Sequence, residues 1–157
     1  MKSAFALSTL ALTSLVSAAP VKRDEEKSVK FGVVTIHSGS QFQYNSIKKV
    51  PSHVHVFSVG GTDGSDVTLT LKPDGTLVDQ DGRGIYVNPE TGDFGNVDPW
   101  GIQKASTGFS IKNNNLVYNN QGNWKACPSG VDKYSLANND CVGGTGVSLY
   151  VVNPTEV

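Results

Sequence analysis

Carboxylate and imidazole side chains are the groups in this sequence that could perform acid–base or metal chemistry. Glycoside hydrolysis needs two carboxylates that face each other across a cleft. The chain offers five aspartates in segments rich in glycine and proline: Asp74, Asp79, Asp81, Asp93 and Asp98. A side-chain oxygen that caps its own turn is sufficient to explain an aspartate in such a segment. We therefore predict that these residues are structural and that the chain is not an enzyme.

The three histidines are the best candidates for a metal site. His53 and His55 would point to one face of a strand, where His37 could join them. The sequence has neither a His-Glu-x-x-His motif nor a Gly-x-Ser-x-Gly motif. Asp79-x-Asp81-Gly82 matches only a fragment of a calcium loop. We predict exposed, unrelated histidines and neither a metal nor another cofactor.

Aromatic and amide side chains could bind a sugar, because aromatic rings stack on sugar rings and amides hydrogen-bond to hydroxyl groups. The candidates for such a carbohydrate-binding surface are Trp100, Trp124, Tyr86, Asn113 and Asn114. In the alternative interpretation the aromatic residues belong to the core and the asparagines form a turn. Both interpretations stay open at this point.

The chain has two cysteines, Cys127 and Cys141. In a secreted protein such a pair is expected to form a disulfide, and the spacing lacks the paired ligands of a zinc site. A bridge closing this loop would stabilise the fold by roughly 3 kcal/mol on the chain-entropy model. We predict a structural disulfide between Cys127 and Cys141.

The first residues have the pattern of a secretory signal peptide, with an apolar stretch from Ala4 to Val16 and a cleavage position after Ala18. The pair Lys22 and Arg23 is the kind of dibasic sequence that a kexin-like protease cleaves. We expect a signal peptide at 1–18, a short propeptide at 19–23 and a secreted domain at 24–157. The last residues lack the apolar tail of a GPI signal, so a lipid anchor is not expected.

Charge limits the partners of the predicted domain. The whole chain has a formal charge of −1, and removal of Lys2, Lys22 and Arg23 leaves an excess of acidic side chains. Nucleic acids and anionic membranes bind to clustered positive charge. Neither is expected as a partner, and the length fits a single domain that we expect to be monomeric.

Short alternating apolar runs, separated by turns rich in Gly, Pro, Asn and Asp, predict an all-β domain. Strands are predicted at 29–36, 41–47, 54–59, 67–71, 76–78, 84–87, 108–111, 116–118, 124–126, 131–136 and 147–152. Turns are predicted at Lys72–Gly75 and at Asp79–Gly82. No strand is predicted in the Gly-, Asp- and Pro-rich stretch from Asn88 to Pro99.

A weak internal repeat suggests the architecture. Leu69–Leu77 and Phe109–Leu116 share a pattern about forty residues apart, and the strands that follow Phe31 lie one interval earlier. Three units of four strands predict a β-trefoil-like barrel of about twelve short strands. A two-sheet β-sandwich is the alternative.

The stretch from Leu69 to Cys141 resembles the C-terminal domain of fungal Pir-type cell-wall mannoproteins and related small secreted wall proteins. The residues that carry the resemblance are Leu71, Asp74-Gly75, Leu77, Asp79, Gly82-Arg83, Tyr86-Val87-Asn88, Phe94, Gly108-Phe109-Ser110-Ile111, Leu116, Cys127-Pro-Ser-Gly130, Tyr134, Leu136 and Cys141. The Gln-rich repeats through which Pir proteins are linked to glucan do not occur between Asp24 and Leu69.

That resemblance implies an extracellular or cell-wall location and a structural role. We therefore predict a secreted, non-catalytic constituent of the fungal cell wall. The alternative is a lectin-like module that binds wall polysaccharide, either β-glucan or chitin. The partner in both interpretations is cell-wall polysaccharide.

Overall fold

The computed structural model describes residues 27–50, 56–98 and 102–157. Within these ranges the chain forms thirteen β-strands and no helix, as the sequence predicted for an all-β domain. They are β1 (Val29–Ile36), β2 (Ile47–Lys49), β3 (Ser58–Val59), β4 (Ser65–Asp66), β5 (Thr68–Leu71), β6 (Leu77–Val78), β7 (Ile85–Val87), β8 (Phe94–Asn96), β9 (Phe109–Lys112), β10 (Asn115–Tyr118), β11 (Trp124–Gly130), β12 (Lys133–Ala137) and β13 (Thr145–Glu156).

Eleven of these strands belong to one antiparallel sheet. Nine of the eleven follow the order β4-β2-β3-β12-β11-β13-β1-β5-β6. The hairpin β9-β10 joins the sheet through β13, where Asn115 pairs with Tyr150, and β7-β8 forms a separate two-stranded sheet. The ladders of the described strands leave the sheet open and form no closed barrel. The predicted trefoil barrel is therefore not confirmed at the level of strand pairing.

The longest strand pairing joins the first described strand, β1, to the last, β13. β1 runs antiparallel to β13 over most of its length, and the same β1 pairs with β5 on its other side. In β1 every second residue faces inward, so that Phe31, Val33 and Thr35 are buried. Because full burial of a large apolar side chain stabilises by about 1.5–3 kcal/mol, this alternation fixes the register of β1.

Aromatic side chains occupy the middle of the core. Phe94 makes edge-to-face contacts with Phe57, Phe109 and Trp124, at ring-centroid distances of 5.5, 6.0 and 5.3 Å. These rings come from four different strands or their flanks, so the cluster joins segments that are distant in sequence.

The predicted turns at Lys72–Gly75 and Asp79–Gly82 are confirmed. The amide of Gly75 donates to the Lys72 carbonyl at 2.9 Å, and that of Gly82 donates to the Asp79 carbonyl at 3.0 Å. Both glycines have positive φ angles, 85° and 77°, which glycine adopts without steric cost.

Three parts of the strand prediction were wrong, and the smallest is β4, Ser65–Asp66, where no strand was predicted. Residues 41–44 form turns instead of a strand, with Tyr44 at a positive φ, and the strand begins only at Ile47. Phe94–Asn96 is a strand in the stretch where none was predicted, because all three residues are buried against the core. The segment around His53 lies partly outside the described residues. No helix in the described ranges is long and apolar enough to cross a bilayer.

Candidate functional site

A buried carboxylate, Asp79, collects hydrogen bonds from three separate segments. Its Oδ2 accepts from Lys49 Nζ at 2.6 Å and from Asn96 Nδ2 at 2.9 Å. Its Oδ1 accepts from the backbone amides of Asp81 and Arg83 at 2.9 and 3.0 Å. We call these five residues the Asp79 cluster. The cluster ties β2 and β8 to the turn that follows β6.

The ionisation of the Asp79 cluster follows from these contacts. Burial alone would raise the pKa of Asp79, but hydrogen bonds from Lys49, Asn96 and the amides of Arg83 and Asp81 outweigh it and lower that pKa. Burial alone would lower the pKa of Lys49, but hydrogen bonds to Asp79 and Asp81 raise it. Lys49 is therefore a charged ammonium group at neutral pH. Such a group is not a nucleophile, so the cluster is suited to hold the fold together.

Two of the other candidate carboxylates, those of Asp74 and Asp81, have close partners in the structure. Asp74 accepts from the hydroxyl and the amide of Thr76, and the Thr76 hydroxyl bond is the main reason why the pKa of Asp74 is lowered. Asp81 lies 2.8 Å from Lys49 Nζ. The backbone amide of Asp93 donates to Thr91 Oγ1 at 3.2 Å, and the backbone amide of Asp98 donates to Gln103 Oε1 at 2.9 Å. The contacts of Asp74 with Thr76 are those of a turn-capping residue.

No group of three or more His, Cys, Asp or Glu side chains in the described ranges could hold a metal ion. His37 Nδ1 lies 2.7 Å from the carbonyl of Gly146. The other two histidines, His53 and His55, lie outside the described residues. The signal and processing residues Ala18, Lys22 and Arg23 lie outside them as well.

The cysteines form the predicted disulfide. Cys127 and Cys141 are joined, with their Cα atoms 6.0 Å apart. Cys127 lies in β11, and Cys141 lies in the segment that leads to β13. The bridge therefore ties the β11-β12 hairpin to the chain that returns from it.

The structure corrects the role of Trp124 as a sugar-binding residue. Trp124 is fully buried, its indole NH donates to the carbonyl of Leu116 at 2.9 Å, and its ring packs on Phe94. Because no ring face reaches the solvent, Trp124 is a core residue. Trp100 lies outside the described residues.

The remaining carbohydrate candidates lie on different hairpins. Tyr86 is half-buried in β7, where it pairs with Gly95. Asn113 and Asn114 are exposed at the tip of the β9-β10 hairpin, with φ angles of 52° and 65°. Two successive left-handed residues form the type I′ turn that matches the twist of a hairpin, and asparagine tolerates this conformation. Their position is thus explained by the turn.

A cleft that the sequence interpretation missed lies between two loops. Because β3 and β12 are antiparallel neighbours through Ser58 and Ser135, the chain that follows β3 emerges beside the chain that precedes β12. Residues 58–63 and 131–134, with Val50, enclose a cavity of about 210 Å³. We call this the loop cleft. The sequence could not predict the loop cleft, because short polar loops have no periodic pattern of apolar residues. The cleft becomes evident only from the pairing of β3 with β12.

Comparison with known proteins gives one informative similarity. The chain is similar to Cell wall protein CWP1 of Saccharomyces cerevisiae, with 31% identity over 122 residues. The match covers 78% of this chain and 47% of that protein, so the chain spans about half the length of the curated relative that it matches. No family model matches the chain. No solved structure matches it either.

Proposed function

We propose that this chain is a secreted, non-catalytic structural constituent of the fungal cell wall. The similarity to a yeast cell wall protein over most of the chain is the observation that carries this proposal. The proposal includes removal of a signal peptide at 1–18 and of a propeptide that ends at Lys22-Arg23. It also includes a relationship to the Pir-type domain, which is supported by the resembling residues that occur in the same order between Leu71 and Cys141.

The chemistry of the described residues supports a structural role. The buried carboxylate of Asp79 accepts four hydrogen bonds, one of them from the ammonium group of Lys49. A reacting carboxylate needs free lone pairs and a pKa near the working pH, whereas here the pKa is lowered by internal partners. A disulfide across the β11-β12 hairpin suits a protein that persists outside the cell.

Fractionation of the producing cells tests the wall role. A tagged chain would be followed in culture medium, detergent-washed walls and walls treated with glucanase or chitinase. We expect the protein in the washed walls and its mature N-terminus at Asp24. Recovery in the medium alone would contradict the wall role, and release of sugar or peptide from a substrate panel would contradict the non-catalytic role.

We also propose that the domain is a β-trefoil. The amide of Phe109, which begins β9, donates to the carbonyl of Gly75, in the turn between β5 and β6, at 3.0 Å. The amide of Phe57 donates to the carbonyl of Phe94 at 2.9 Å, and the amide of Leu136 donates to the carbonyl of Phe57 at 3.0 Å, so three segments about forty residues apart meet. This arrangement supports a pseudo-three-fold cap. An experimental structure without three-fold symmetry would contradict it.

A lectin-like module that binds wall polysaccharide is the second candidate function. The loop cleft favours it, because it combines an aromatic side chain with exposed polar groups in a concave surface. A pull-down of the secreted protein on insoluble β-glucan and chitin, with cellulose as a control matrix, tests this candidate. Saturable binding is expected, and its absence would leave only the structural role.

A further inference from the structure

We propose that the loop cleft binds one or two sugar rings of a neutral polysaccharide chain, an inference that rests on the second candidate function. The cleft opens between the loop that follows β3 and the turn that precedes β12. Its walls hold the ring of Tyr134, the apolar side chain of Val131 and the polar side chains of Asp63, Asp132 and Lys133. The sugar-binding surface would thus lie apart from Tyr86, Asn113 and Asn114.

The charges of the cleft disfavour an anionic ligand. Lys133 Nζ lies 3.6 Å from Asp63 Oδ2, so these two exposed charges largely balance each other. Asp132 adds a further carboxylate, and its backbone is held at φ 54° in the turn. An anionic ligand would face a net negative wall, whereas carboxylates readily accept hydrogen bonds from sugar hydroxyl groups.

The size of the cleft suits one or two sugar rings better than a larger ligand. Its volume of about 210 Å³ is below the ~300–1,000 Å³ of pockets for drug-sized molecules. A larger cavity of about 590 Å³ lies along β1, β5 and the end of β13. The aromatic residue in its wall, Phe31, is buried, so that cavity offers no ring face for stacking.

The loop on one side of the cleft contains glycines with a left-handed backbone. At Gly64, just beyond the cleft, the φ is 78° and an added Cβ would clash with the carbonyl oxygen of Lys49, so this end of the loop packs closely on β2. Gly61, inside the cleft, has a φ of 87° and open space where a Cβ would stand. Because Gly61 has no side chain, the backbone groups of the loop around it are exposed and available for hydrogen bonding.

An exposed aromatic residue lies in the segment that borders the cleft. Tyr44 is 70% exposed and adopts a φ of 63°, a conformation in which bulky residues are strained. The next residue, Asn45, lies against Gly60, since a Cβ on Gly60 would stand 3.2 Å from the Asn45 side chain. Hydrogen bonds from the Tyr44 amide to the Thr35 carbonyl and from the Thr35 amide to the Asn45 carbonyl hold the backbone of this turn. They leave the Tyr44 side chain exposed and able to stack on a sugar ring.

The aromatic ring inside the cleft is held rigidly from behind. Tyr134 makes an edge-to-face contact with the buried ring of Phe42, with the centroids 4.8 Å apart. Its hydroxyl group lies 3.5 Å from Gln41 Nε2. Since Phe42 fixes the ring, little conformational entropy is lost when a ligand stacks on it.

Titration calorimetry of the secreted protein with soluble hexasaccharides of β-1,3-glucan and of chitin tests the proposal. Three single variants address the cleft: Tyr44→Gly, Asp132→Asn and Thr62→Met. The first removes the bordering ring, the second removes a carboxylate while asparagine keeps the left-handed backbone, and the third fills the cavity. Each is expected to weaken binding by about tenfold or more. Thermal unfolding of each variant shows that the fold is retained.

Tyr86→Ala is the matched control, because it removes a half-buried tyrosine from a different hairpin. It is expected to bind within about twofold of the unmodified protein. If the protein binds a hexasaccharide and the cleft variants bind equally well, the cleft assignment is overturned while the lectin-like function stands. If the unmodified protein binds neither hexasaccharide, both are overturned. The wall-fractionation result is independent of either outcome.

Discussion

The Asp79 cluster and the loop cleft use similar polar side chains in opposite ways. In the cluster, a buried carboxylate has its oxygens occupied by Lys49, Asn96 and two backbone amides. In the cleft, Asp132 and Val131 face the solvent, and the ion pair between Asp63 and Lys133 is exposed. The cluster holds strands together, whereas the cleft leaves its groups available to a ligand.

In a small β-protein, burial distinguishes the polar residues that stabilise the fold from those that are available for binding. A buried charge must be paired, and its removal is costly because its partners are left unsatisfied. An exposed charge or ring contributes little to stability. The two regions should therefore respond differently to substitution: the cluster through stability, and the cleft through binding.

The largest expected effect is that of Asp79→Ala. This change leaves two backbone amides and Asn96 without their acceptor and leaves Lys49 with Asp81 alone. We expect a loss of about 3 kcal/mol in the free energy of unfolding, measured by urea denaturation. The matched control is Asp81→Ala, whose exposed carboxylate shares the same lysine and whose removal should cost less than about 1 kcal/mol. Equal losses in both variants would refute the central role of Asp79.

Removal of the disulfide should have a similar or slightly smaller effect. The double variant Cys127→Ser with Cys141→Ser frees a loop of roughly fifteen residues and should lower the free energy of unfolding by up to about 3 kcal/mol. The β11-β12 ladder remains, so the fold should persist. Reduction of the unmodified protein should reproduce the loss, and a variant as stable as the oxidised protein would show that the bridge does not constrain the domain.

The stabilisation that the Asp79 cluster provides should depend on pH. It should be lost in acid through protonation of Asp79 and, only in strong base, through deprotonation of Lys49. The pKa of Asp79 is lowered by folding, so its contribution is complete above the unfolded value near 3.8 and is lost as the pH falls through the folded value. The pKa of Lys49 is raised, so its contribution is complete below 10.5 and is lost only as the pH rises beyond that value. We expect the free energy of unfolding to fall between about pH 5 and pH 2.

Asp79→Asn is the variant that isolates this titration. It cannot ionise, so its stability should change less over the acidic range than that of the unmodified protein. Chemical denaturation at a series of pH values measures the difference. An identical acid dependence in both proteins would assign the titration to other carboxylates, with Asp74 as the next to examine because its pKa is also lowered.

The sequence predicted the parts of the fold that depend on local patterns. The alternation of β1 predicted its bounds, and the Asp-Gly turns after β5 and β6 were located correctly, because both signals lie in adjacent residues. The strand at Phe94–Asn96 was missed, since it lies among turn residues and is defined by burial against distant rings. The trefoil prediction remains a proposal, because the pairing between its units is not a local property.

The functional residues were harder to predict than the fold. The sequence left open whether Trp124 binds a sugar or belongs to the core, because the exposure of a tryptophan depends on tertiary packing. The role of Asp79 was also hidden, because its partners Lys49 and Asn96 stand far from it in the sequence. The loop cleft joins residues about seventy positions apart through the β3-β12 contact, and no sequence spacing marks such a contact.

The smallest expected effect is that of Tyr44→Gly on stability. A tyrosine at φ 63° is strained, and glycine relieves that strain but increases the conformational entropy of the unfolded chain. We expect a net gain of about 0.5–1 kcal/mol in the free energy of unfolding. Asn113→Gly is the control, since asparagine already tolerates its φ of 52° and should gain less. A protein that becomes more stable and loses sugar binding would show that the strained tyrosine serves the ligand. A marked loss of stability would instead show that Tyr44 belongs with the residues that hold the fold together.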